Sequence, residues 1–310
     1  MWRSASRRVR GCSMTASEAE DRQPDAEPRR RSSPLRAGEW AALLLFACYI
    51  LLVVTPLVPG LPSVVGSVLA TVLFAALAMA LMLALARVAT RAWHEAGGLA
   101  LFLGAWYSLG ALAEGDPPAR AYVNPAVSLA FMLACVAAGK LLSRIVRDRN
   151  ILLPVCIVAA LADLYTVFAG PTGQALQVAP KLVQKLSVAI PQPGSAAGAT
   201  GHMGLAFAGT MGLGDFIFIA MFFAAAMRFG FRLRRSYWGI LLPTATALVG
   251  FLLTPKLPGI PLLPFIALGF LVANWGEFRL TAEEKTNLRR AGLIVALLVA
   301  AGVVWFALRR

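Results

Sequence analysis

Apolar residues along this chain come in long runs broken by short charged connections, with neither the strict alternation of strands nor the one-sided stripe of soluble helices. Nine such runs stand out, at about 39–59, 63–86, 97–113, 124–143, 150–170, 202–227, 237–254, 259–275 and 291–307. Runs of about 17–25 apolar residues match the length a helix needs to cross a hydrocarbon layer. Lipid gives backbone N–H and C=O groups no water to bond, so segments of this kind must be helical. The pattern predicts an all-α polytopic membrane protein of about nine transmembrane helices. Ahead of the first run, residues 1–37 carry nine arginines and five acidic residues with almost no apolar periodicity. That composition predicts a disordered, basic cytoplasmic tail. Residues 38–310 then form one transmembrane domain.

The polar connections set the orientation. Basic residues fill alternate ones: Arg87 and Arg91; Arg144, Arg147 and Arg149; Arg228, Arg232, Arg234 and Arg235; Arg279, Lys285, Arg289 and Arg290. The intervening connections hold only Arg120, Lys181, Lys185 and Lys256. By the positive-inside rule the N-terminus is cytoplasmic and, with nine spans, the C-terminus is outside. Composition agrees: 59% of residues are hydrophobic, 14% are charged and the mean hydropathy is +0.72. The net charge of +14 is accounted for by orienting the chain in a bilayer, and no nucleic-acid partner is implied. Richness in Ala, Arg and Gly points to a prokaryotic cytoplasmic membrane. Cys12, Cys48, Cys135 and Cys156 form no Cys-x-x-Cys pair, so neither a disulfide framework nor a zinc site is expected.

Of the 15 acidic residues, only Asp163 and Asp215 fall well inside apolar runs. A carboxylate at bilayer depth costs about 2.5–3.5 kcal/mol on insertion scales, which marks it as a functional-site candidate. Each lies roughly 20 Å along its run at 1.5 Å per residue, and consecutive spans run in opposite directions, so both carboxyls reach similar depth. Gly204, Ala208, Gly212 and Asp215 share one helical stripe, and so do Cys156, Ala159, Ala160 and Asp163. Small residues at this spacing predict that the two helices approach closely face to face. Two carboxyls a few ångströms apart in low dielectric share a proton and titrate as a unit. The ionised member can activate water while the protonated member polarises a peptide carbonyl. Intramembrane acids also serve as proton or cation relays, so a proton- or ion-coupled transporter using Asp163 and Asp215 is the alternative from physics alone.

The order of motifs goes further. Gly212-Leu213-Gly214-Asp215, an aspartate one span earlier at Asp163, and Pro261-Leu262-Leu263-Pro264 two spans later together resemble the GxGD intramembrane aspartyl proteases, presenilin and signal peptide peptidase with their prokaryotic homologues. The resemblance covers roughly residues 155–265. It implies a presenilin-like helical bundle and an intramembrane aspartyl endopeptidase, with Asp163 and Asp215 as the catalytic pair on helices at about 150–170 and 202–227. It further implies that Gly212, Leu213, Gly214, Pro261, Leu262, Leu263 and Pro264 bind a transmembrane-peptide or signal-peptide substrate. Water is the nucleophile, and neither a metal nor an organic cofactor is implied. The chain departs from the family in placing its tyrosine, Tyr165, two residues after the first aspartate, where the family has one just before it; Tyr165 is a supporting candidate. In the third motif leucine stands where alanine is expected.

The connection at residues 171–201 is the longest, and its part from Lys181 to Ile190 is compatible with a surface helix or a strand; beside the site it would act as a lid or exosite. With the N-terminus cytoplasmic, the helix of Asp163 runs inside to outside and that of Asp215 outside to inside. This matches signal peptide peptidase, whose substrates have cytoplasmic N-termini. Elsewhere, His94-Glu95 reads as a surface pair, Lys140 as a snorkelling lysine, and Asn124-Pro125-Ala126 as a helix start.

Overall fold

The computed structural model describes residues 34–58, 63–113, 117–168, 187–190, 193, 210–253, 261–279, 281–286 and 290. Contacts divide the chain into Met1–Ser33 and Pro34–Arg310, and everything described belongs to the second unit. The tail expected at 1–37 therefore lies almost wholly outside the described residues, and α1 already begins at Pro34. The span expected at 291–307 also lies outside them.

The described fold is helical. The order is α1 (Pro34–Val54), α2 (Ser63–Arg87), α3 (Ala92–Ala113), α4 (Pro117–Ile145), α5 (Leu152–Phe168), β1 (Ser187–Ala189), β2 (Thr210–Gly212), α6 (Leu213–Arg228), α7 (Leu233–Leu253) and α8 (Leu263–Asn274). Six of these helices, α1 to α5 and α7, are long and apolar enough to cross a membrane. The chain is a membrane protein on that evidence. Two helices are short: α6 has 16 residues and α8 has 12, about 24 Å and 18 Å of helix against a hydrocarbon core of about 30 Å. Asn124-Pro125-Ala126 does not begin a helix. Pro125 lies inside α4, which starts at Pro117, because a proline pair at the first turn needs no N–H partner there.

Helix α6 is the centre. It packs against α4, α2, α7 and α8, and Phe216, Ile219, Ala220, Met221, Phe222, Phe223, Ala225 and Ala226 are all buried. A helix apolar all round belongs in the middle of a bundle. By contrast α3 packs chiefly on α4 and leaves Leu101, Leu103, Tyr107 and Leu112 exposed, as a lipid-facing helix does. Glycines set the closest approaches. A β-carbon on Gly139 of α4 would stand 2.6 Å from the Ile217 carbonyl of α6, and one on Gly269 of α8 would run into the Gly239 carbonyl of α7.

The basic connections meet at one end. Arg228 Nη1, at the end of α6, donates to the carbonyls of Ser143 at 2.9 Å, in the last turn of α4, and of Val146 at 2.8 Å, just beyond it. Arg149 donates to the Glu277 carbonyl, Asn150 to that of Arg279, and Arg232 pairs with Glu277. Beside them Glu95 is 5% exposed. It accepts from Arg144 Nη2 at 2.9 Å and from Thr90 Oγ1 at 2.7 Å, and lies 3.6 Å from Lys140 Nζ. Glu95 is therefore not part of a surface pair. Lys140, expected to snorkel, ends on the Val88 carbonyl at 2.9 Å and on Thr90 Oγ1 at 2.7 Å, just past the C-terminus of α2. A carboxylate can be buried here because cations from α4 surround it.

Candidate active site

The run expected as a single helix over 202–227 is not one. Thr210–Gly212 is a strand, antiparallel to Ser187–Ala189, with Val188 opposite Met211. Both of those side chains are buried. Helix α6 begins only at Leu213, so Asp215 is its third residue. The expected stripe from Gly204 to Asp215 is thereby overturned: Gly204 and Ala208 lie outside the described residues, and Gly212 has strand geometry. The reason is local. Apolar periodicity cannot separate a short buried strand from a buried helix, and pairing with β1 supplies the hydrogen bonds that helix would otherwise provide. Of the part from Lys181 to Ile190 that was open between helix and strand, Ser187–Ala189 is strand, and residues 181–186 lie outside the described residues.

The two aspartates are held in matching ways. Asp215 Oδ2 accepts the Gly212 N–H at 3.1 Å, at the start of α6. Asp163 Oδ2 accepts the Leu263 N–H at 3.0 Å, at the start of α8. The first turn of a helix has N–H groups with no intrahelical acceptor, and the helix dipole favours negative charge there. Two broken helices thus present their N-terminal ends to two carboxyls. Asp215 is buried, Asp163 is half-buried, and the carboxyls lie within electrostatic range of each other. Measured from the basic end, Asp163 lies 11 residues past Leu152 in α5 and Asp215 lies 13 residues before Arg228 in α6, about 16 Å and 20 Å. The two aspartates thus stand at similar distances along their helices from the basic end.

What joins them also differs from expectation. Helix α5 packs chiefly on α8, and Cys156 and Ala159 on it are buried, so the small-residue faces of α5 and α6 do not simply appose. The segment Pro261-Leu262-Leu263-Pro264 stands between them. Pro261, Leu262 and Leu263 are buried, Pro264 occupies the first turn of α8, and Leu263 Cδ1 would be 3.9 Å from a β-carbon on Gly214. Gly212, Leu213, Gly214, Asp215, Asp163 and the proline segment are thus one neighbourhood. Tyr165 is not part of it; it is 64% exposed, because two residues beyond Asp163 turn it to the outer face of α5.

Sequence reasoning missed the groove that leads to this point. A cleft of about 370 Å³ runs along α5, lined by Pro154, Val155, Val158, Ala159, Ala162, Phe218 and Leu263. Its signal was present as apolar residues at 155, 158, 159 and 162, the spacing of one helix face. The glycines are informative as well. Gly212 has φ −73°, which any residue adopts, and among the described residues β-carbons at 212 and 214 would meet nothing closer than 3.6 Å. The described fold does not require glycine at either position. Bare backbone beside a carboxyl pair leaves room for another chain to approach. Comparison with family models, curated proteins and solved structures gives no match for this chain.

Proposed function

We propose that the chain is an intramembrane aspartyl endopeptidase of the GxGD type, with Asp163 and Asp215 as its catalytic pair. The observation that carries this reading is the hydrogen bond from the Leu263 N–H to Asp163, because it joins the first aspartate to the proline segment beside Gly214 and Asp215. A transporter relay would need neither bare glycines at the carboxyls nor an apolar groove ending at them. In the proposed reaction one carboxylate takes a proton from water as the oxygen attacks the scissile carbonyl carbon. The other carboxyl gives its proton to the carbonyl oxygen. The tetrahedral intermediate then collapses as a proton passes to the amide nitrogen and the C–N bond breaks. Roles within the pair are exchangeable in this scheme.

The groove along α5 is the proposed path for the apolar side chains of a transmembrane peptide, and the edge formed by β1 and β2 supports its unwound part. The proposed arrangement in the membrane has nine spans, a cytoplasmic N-terminus and an outer C-terminus, in a prokaryotic cytoplasmic membrane. The test is cleavage of a panel of transmembrane peptides in liposomes by the wild type, Asp163→Asn and Asp215→Asn. Asparagine can still accept the Leu263 and Gly212 N–H groups, so folding should be retained. Loss of a general acid–base group costs about 10²–10⁴-fold, and both variants should lose at least that. Ion or proton flux dependent on either aspartate, with no cleavage by any form, would establish the transporter instead.

A further inference from the structure

We propose that a second groove, between α1, α2 and α7 at the basic end, is a binding site for one anionic phospholipid. The cleft has a volume of about 400 Å³, within the size range of small-molecule sites. Arg87, the last residue of α2, and Arg234, the second residue of α7, line it. Among the described residues neither guanidinium has a hydrogen-bond or ion-pair partner, unlike Arg144, Arg149, Arg228 and Arg232; Arg91, Arg147 and Arg235 are unpaired too, but only Arg87 and Arg234 share the groove. Two neighbouring like charges left unpaired fit an anion with several oxygens, and guanidinium is the side chain best shaped for phosphate.

The rest of the groove is apolar. Leu44 and Ala84 line it, and so does Trp40 in the second turn of α1, 63% exposed; indoles near span ends favour the level of lipid headgroups. Tyr237 lines the groove as well, its hydroxyl donating to the Ala76 carbonyl at 3.0 Å. A free phosphate would use the arginines and leave the apolar wall empty. A phospholipid uses both, with its phosphate on the arginines and an acyl chain along α1 and α2. Basic pockets between helices on the cytoplasmic side bind such headgroups. The site involves none of the residues around Asp163 and Asp215, so it stands whether or not the chain is a protease.

The experiment uses the full chain purified in uncharged detergent, with melting temperature and lipid retention in native mass spectrometry read against phosphatidylglycerol, phosphatidylcholine and inorganic phosphate. Phosphatidylglycerol should raise the melting temperature and be retained in preference to phosphatidylcholine, and phosphate alone should do neither. The double variant Arg87→Gln/Arg234→Gln should lower that preference by roughly tenfold to thirtyfold, with its lipid-free melting temperature unchanged. Each single variant should lose part of it, which keeps the test informative if the double variant folds poorly. Arg91→Gln/Arg235→Gln removes the same charge from outside the groove and should keep the preference. Equal binding of both lipids, an equal effect of inorganic phosphate, or equal loss in the two double variants would overturn the proposal.

Discussion

Glycine at 212 and 214 is the sharpest statement the molecule makes at the scale of single residues. Among the described residues neither a positive φ nor a close contact demands it, so Gly→Ala at either site should leave stability within about 0.5 kcal/mol or raise it slightly. Cleavage should nevertheless fall, because a methyl group stands where a substrate backbone must approach. Paired thermal melts and peptide cleavage assays would check this, and activity equal to wild type would remove substrate approach as the reason for the glycines. Glu95 makes the opposite case, a residue with a structural task and no place near the aspartates. Removing one partner of a buried ion pair costs about 3–5 kcal/mol, and the exposed part of Arg144 places Glu95→Gln toward the low end, near 3 kcal/mol. Pairing Glu95→Gln with Lys140→Met should recover part of that loss in a chemical-denaturation cycle, since no lysine is then left stranded.

Among elements, the two short helices matter most. Helices α6 and α8 begin beside the carboxyls, and each is seated by glycine against a neighbour. Gly269→Ala must force α8 away from α7, as the Gly239 carbonyl occupies the space. The expected cost is about 1–3 kcal/mol, with cleavage falling further than stability alone explains, because Leu263 and its hydrogen bond to Asp163 move with α8. Gly110→Ala in α3, where none of the described residues lies within 4 Å, should be neutral in both assays and serves as the control. A Gly269→Ala protein that cleaves normally at an unchanged melting temperature would show that α8 is not held this way. The breaks themselves follow from backbone chemistry. A helix that starts inside a bundle exposes N–H groups needing acceptors, and two carboxylates are available to accept them.

For the whole molecule, the bundle has one polar end and one end bearing the short hairpin. The ends of α2, α4 and α6 are knitted together by Lys140, Arg144 and Arg228, and this is the end predicted to face the cytoplasm. On that orientation α5 runs outward and α6 inward. Matched reporter substrates inserted in the two orientations should then differ, with only those having cytoplasmic N-termini cut, as read by product mass. Cleavage confined to the reverse orientation would invert the proposed topology and leave the pair of aspartates intact.

The chain alone determined that it is helical and membrane-bound, since lipid permits no other backbone for runs this long and apolar. It also singled out Asp163 and Asp215, because charge in such runs is rare enough to be visible without any partner in view. Which helices break, and where, was decided by tertiary structure. Thr210–Gly212 is apolar enough for helix or strand, and pairing with Ser187–Ala189 chose between them. The acceptor role of Asp163 toward Leu263, the enclosure of Glu95 by Arg144 and Lys140, and the meeting of Arg87 with Arg234 join residues far apart along the chain. A hydrophobic pattern records which face of a segment avoids water or meets lipid. It does not record which segment stands opposite, and at these sites that neighbour supplies the hydrogen bond, the counter-charge or the second arginine.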